Sequence, residues 1–138
     1  VSWRAAGAAA LLALLPGPAL ATGCGSEFGA ADVRRIVRPQ YTLAYRPEPA
    51  ELETDQLFAL RVVLCGRDGG PVPLLVRVGA WMPDHGHGMN YATILTAEGD
   101  GYWRIDGMMF HMPGRWELVF DVGTPLRTDR LVAEEEVE

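Results

Sequence analysis

The sequence predicts an all-β protein, an immunoglobulin-like β-sandwich of about seven antiparallel strands. Three observations carry that expectation. From Pro39 onward the apolar residues recur with period two, and turn signals follow roughly every ten residues. No heptad, nucleotide-binding glycine loop or alternation of strand and helix competes with that pattern. The length of 138 residues and the 49% hydrophobic content allow one globular core.

The strands follow in order. Tyr41, Leu43 and Tyr45 alternate with Thr42, Ala44 and Arg46, and Pro47-Glu48-Pro49 stops the run. Phe58, Leu60, Val62 and Leu64 alternate with Ala59, Arg61, Val63 and Cys65, before the turn 66–70. Leu74, Val76, Val78 and Ala80 form one face of a third strand. Segments 91–96 and 102–109 flank the turn Glu98-Gly99-Asp100-Gly101. Trp116, Leu118, Phe120 and Val122 mark a sixth strand, and 126–133 a last one. The domain is therefore placed at 40–134, followed by a solvated acidic tail at 135–138.

The first 23 residues read as a bacterial export signal, with Val1 as an alternative start. Arg4 supplies the positive end, Ala5 to Leu15 an apolar run too short to span a bilayer, and Pro16-Gly17-Pro18 the break. Ala19-Leu20-Ala21 fits cleavage to a soluble product, whereas Ala21-Thr22-Gly23-Cys24 resembles a lipobox. The second reading is preferred, with lipid on Cys24 and a tether over 24–39. Cys65 is then a lone packed thiol. If Cys24 stays free, a Cys24–Cys65 disulfide is the alternative. On either reading the protein works outside the cytoplasm, in the periplasm or anchored to the membrane, and it touches the membrane only through a lipid.

Composition narrows the function. Twelve arginines and no lysines face 18 acidic residues, giving a net charge of −6. Such a chain has no basic patch for nucleic acid or an anionic membrane. Ser2 and Ser26 are the only serines, which excludes a serine hydrolase.

All three histidines and all five methionines lie between residues 82 and 112, in Met82-Pro83-Asp84-His85-Gly86-His87-Gly88-Met89 and Met108-Met109-Phe110-His111-Met112-Pro113-Gly114. Consecutive antiparallel strands bring the two loops to one end of the sandwich. The Cys65 turn falls at the other end, roughly 30 Å away at about 3.3 Å per residue. Thioethers hold Cu(I), and imidazole suits both copper oxidation states. His85, His87, Met89, His111 and Met112 are thus the candidate metal ligands, with copper as the cofactor. Packing is the plainer explanation of the same residues, since methionine fills gaps beside Trp81, Phe110 and Trp116. Met108 and Met109 face opposite sides of their strand, so at least one belongs to the packing.

The stretch from Met82 to Val122, with MPDHGHGM, GDGYWRIDG and MFHMPGRWELVFDV, resembles the YtkA-like domain family. The similarity extends more weakly to Tyr41. It implies a small secreted or membrane-anchored bacterial domain of immunoglobulin-like fold, similar in architecture to CopC-type copper proteins. It also implies metal handling with an envelope metal-transfer or oxidase-assembly partner. Trp103 stands where the family more often has Tyr, and Asn90-Tyr91 replaces a Pro-containing sequence.

Two rivals belong to other classes. Three histidines could hold zinc for catalysis, but only Asp84 and Asp106 are near enough in sequence to act as a base, so an enzyme is not expected. A metal-free envelope assembly or interaction module is the alternative, and an exposed aromatic patch around Trp81 and Tyr91 would favour it.

Overall fold

A computed structural model of the chain describes residues 23–29 and 32–138. It contains nine strands: β1 (Arg34–Val37), β2 (Tyr41–Glu48), β3 (Leu57–Gly66), β4 (Leu74–Met82), β5 (His87–Gly88), β6 (Ile94–Gly99), β7 (Tyr102–Met109), β8 (Gly114–Gly123) and β9 (Thr128–Val137). They form two antiparallel sheets, one in the order β1-β2-β3-β7-β6 and the other β5-β4-β8-β9. The inward faces are the apolar sets that alternation selects, except at the start of β4. A bulge between Leu75 and Arg77 shifts the alternation there, so Leu75 is buried with Val78 and Ala80 while Leu74 and Val76, expected on that face, are exposed. Leu43, Leu60, Val62 and Ile105 from the first sheet meet Val78, Leu118, Phe120 and Leu131 from the second, all buried. A side chain of this size contributes about 1.5–3 kcal/mol when buried. The β-sandwich expected from the sequence is the fold observed.

Two tyrosines tie the sheets together along the β2/β9 side. Tyr41 donates to Asp129 at 3.1 Å, and Tyr45 donates to Glu135 at 2.8 Å. Burial, then the Asp129 carboxylate, pushes the Tyr41 hydroxyl up to about 12.

The structure corrects the sequence reading at both ends of the domain. Cys24 does not carry a lipid: its Sγ is bonded to that of Cys65, so the sulfur an acyl anchor requires is already used. Nor is 24–39 a tether. The disulfide fixes a short helical turn, Ser26–Phe28, on the outer face of the first sheet. There Phe28 is buried over Ala44 and Val63, against the edge of Tyr102. Arg46 donates to the Phe28 carbonyl at 2.6 Å, and β1 pairs with β2 along its whole length. The export signal lies outside the described residues, apart from Gly23.

The acidic tail is likewise part of the fold. β9 runs to Val137, and period two along Leu131, Ala133, Glu135 and Val137 turns Glu135 inward. There it accepts from Tyr45 and pairs with Arg34 at 3.0 Å. Burial nonetheless raises its carboxyl above the usual range. Smaller differences concern strand limits: the expected strand over 91–96 begins only at Ile94, and the last strand begins at Thr128.

Register fixes which loops share an end. Leu57 pairs with Met109 and Val63 with Tyr102, so the disulfide at Cys65 lies at the opposite end from His111, as the strand order predicts. At the disulfide end Gly101 lies at φ +83°, and its carbonyl accepts from the Leu64 amide at 2.9 Å. A Cβ there would stand 2.3 Å from the Leu64 oxygen, so this turn requires glycine.

Candidate metal centre

The first loop is built by a tight turn at the end of β4. The amides of His85 and Gly86 both donate to the Met82 carbonyl, at 3.2 and 2.8 Å. Gly86, at φ +69°, then reverses the chain, and His87–Gly88 pairs back on Met82 and Trp81. Arg115 of β8 holds the loop from below by donating to Asp84 at 3.0 Å. His85 is left exposed at the turn, and His87 is half-buried on the returning strand.

The second loop is anchored by Phe110, which is fully buried and whose carbonyl accepts from the Asp55 amide at 2.7 Å. Beyond it, Met112 offers its carbonyl to the indole N–H of Trp116 at 3.0 Å. Alternation already puts Trp116 on the core face of its strand. Its second role, fixing the His111–Met112 loop, appears only in three dimensions.

The loops meet over Trp116. The ring centroids of His87 and His111 are 5.1 Å apart, and those of His85 and His87 are 5.8 Å apart. Both His87 and His111 present to the indole edge-on, at 5.9 and 5.3 Å. Two imidazoles on one ion each place a ring centre roughly 3.2 Å from it, from a metal–nitrogen bond of about 2.0 Å. Centroids up to about 6.4 Å apart therefore suit a shared ion.

The ring nitrogens of the two loops differ in their partners. His111 Nδ1 is shielded from solvent and has no hydrogen-bond partner among the described residues. His87 Nδ1 lies 3.1 Å from the Gly88 carbonyl; a proton there satisfies that contact and leaves Nε2 as a lone-pair donor.

The five methionines divide. Met82 and Met108 are fully buried core residues. Met89 and Met112 are half-buried at the core's margin, beside the two histidine loops, and Met109 is half-buried opposite Leu57. His87 is the ring that neighbours both of the other histidines. Among the described residues, no three His, Cys, Asp or Glu side chains converge on one point. A soft ion at this end would thus rely on His87 and His111 together with thioether sulfur, with His85 as an outer donor. The two nearby carboxylates are engaged elsewhere: Asp84 by Arg115 and Asp106 by Arg104, each at 3.0 Å.

No family model and no curated protein matches the chain. A solved structure does. The chain is similar to a DUF4426 family protein from Pseudomonas aeruginosa PAO1, at 8% sequence identity and a TM-score of 0.54. The alignment covers 76% of this chain and 94% of that one. At that identity the likeness shows the fold alone.

Proposed function

We propose that the chain is an extracytoplasmic copper-binding accessory protein, holding the metal between the His87 and His111 loops and passing it to an envelope partner such as an oxidase-assembly protein. The observation that carries this reading is the pairing of those two rings at 5.1 Å, with His111 Nδ1 buried and unpartnered. An orphaned ring nitrogen costs about 1–3 kcal/mol, a cost that a bound ion removes. Half-buried Met89 and Met112 supply soft sulfur, which suits Cu(I). The resemblance of the two histidine motifs to YtkA-like domains points the same way. The Cys24–Cys65 disulfide supports an oxidising compartment. Nothing in this role requires catalysis, and the protein is read as a binding protein.

Competition titrations with Cu(I) and Cu(II) on the metal-free protein test the reading. One tight equivalent is expected, weakened at least tenfold (about 1.4 kcal/mol) by His87→Ala or His111→Ala. Thermal unfolding in parallel checks that the variants fold. If folded wild type and variants bind equally weakly, the cluster is packing only. The second reading, a metal-free envelope interaction module, is favoured by one observation: Trp81 and Tyr91 are 43% and 50% exposed.

A further inference from the structure

The outer face of the second sheet carries a cleft of about 800 Å³ that the copper reading leaves unused. Strand register lays it out in three rows. Trp81 stands across from Glu117, Val119 lies between Gly79 and Val132, and Asp121 has Arg77 on one side and Arg130 on the other. Space over Gly79 is open, with nothing within 4 Å of a notional Cβ. The segment from Met89 to Thr93 forms the wall along the sheet edge, where Thr93 donates to the Val78 carbonyl at 2.8 Å.

The arginine row sets two guanidinium groups on one carboxylate. Arg77 reaches Asp121 through Nε and Nη2, both at 2.8 Å. Arg130 does the same through Nε at 2.8 Å and Nη2 at 3.2 Å. Two guanidinium groups thus share one buried carboxylate, leaving a local charge of about +1. Both dock by the same edge, and neither Nη1 makes a hydrogen bond among the described residues. Both arginines are more than half exposed. At the other end Trp81 offers an exposed indole beside Glu117, whose nearest cation, Arg115, is 3.9 Å away, beyond hydrogen-bonding distance. An aromatic face next to a carboxylate with only this long ion pair suits a sugar ring: its C–H face stacks, and its hydroxyls donate. The rows lie four residues apart along β4, about 13 Å at 3.3 Å per residue, the length of a short oligosaccharide.

We propose that this cleft binds a short uronate-containing oligosaccharide, with a carboxylate on the Arg77–Arg130 pair and a ring on Trp81. The aromatic row alone would accept a neutral glycan; the arginine row selects the acid. This inference is independent of copper.

The test is an amide and indole NMR titration of metal-free protein with trimers of galacturonate, glucuronate and mannuronate, and with maltotriose as the neutral control. At least one uronate trimer is expected to shift the Trp81 indole and Gly79 amide signals and to bind at least tenfold more tightly than maltotriose. Trp81→Ala and Arg77→Ala should each weaken that binding tenfold or more, while the remaining spectrum stays that of the folded protein. Equal binding of maltotriose, shifts confined to another face, or no shift with any of the three uronates would overturn the proposal.

Discussion

Removing the disulfide probes the largest departure from a simple strand-by-strand reading. Cys24 and Cys65 are 41 residues apart, and their bond closes a loop containing β1, β2 and most of β3. In the chain-entropy model, closing a loop of that length takes about 13 cal/mol/K from the unfolded state, or about 4 kcal/mol at 25 °C. The native contacts around it add to the effect. Without the bond, the turn 26–28 is held by Phe28 against Ala44, Val63 and Tyr102 and by the Arg46 contact to its carbonyl. A domain of this size is stable by about 5–15 kcal/mol, so the loss takes a large share. Urea unfolding of the oxidised protein and of Cys24→Ser/Cys65→Ser gives the comparison. At a slope near 1.5 kcal/mol/M, the midpoint of the double variant should fall by roughly 2–3 M. The core of the two sheets should survive, since Leu43, Leu60 and Phe120 belong to the cluster between the sheets, whereas Cys24 and Cys65 pack against the separate cluster of Phe28, Ala44 and Val63. A loss below about 1 kcal/mol would refute the loop argument. Two titratable thiols in the unreduced protein would refute the disulfide itself, and with it the correction of the lipid anchor.

Two further outcomes follow from the fold. Gly101→Ala forces a Cβ to 2.3 Å from the Leu64 oxygen at a positive φ, and should cost at least about 2 kcal/mol in urea unfolding; a neutral result would mean the turn is not the one described. Burial raises the Glu135 carboxyl above its ordinary 4.5, so the native state binds that proton more tightly than the unfolded chain. Its contribution to stability is then full below about 4.5 and lost as pH rises through the folded value. Glu135→Gln should therefore gain stability relative to wild type on going from pH 4.5 to pH 7, and a difference that does not change with pH would count against a buried, titrating Glu135.

What the sequence alone determined is local and periodic. Side chains of a strand point alternately to opposite faces, so the positions of Leu43, Leu60, Val78, Leu118 and Phe120 were legible without any partner strand. The sharing of one end by the 82–89 and 108–114 loops was legible too, because it follows from counting antiparallel strands. The rest depended on registers between distant segments. Glu135 sits in a run of acids that reads as solvated; only its place beside Tyr45 and Arg34 makes it internal. Residues 24–39 read as a spacer because they are short and mixed in polarity, yet β1 and Phe28 find their burial on β2, β3 and β7. The pairing of Cys24 with Cys65 has no local signature, since it requires two chain segments to meet across a sheet face. The same holds at the candidate site. Sequence gathers the histidines and methionines into two loops, but the ring of His87 against His111, the orphaned Nδ1 and the core position of Met82 and Met108 are set by how the sheets close around Trp116. Composition placed the donors at one end of the sandwich, and tertiary packing decided which of them face one another.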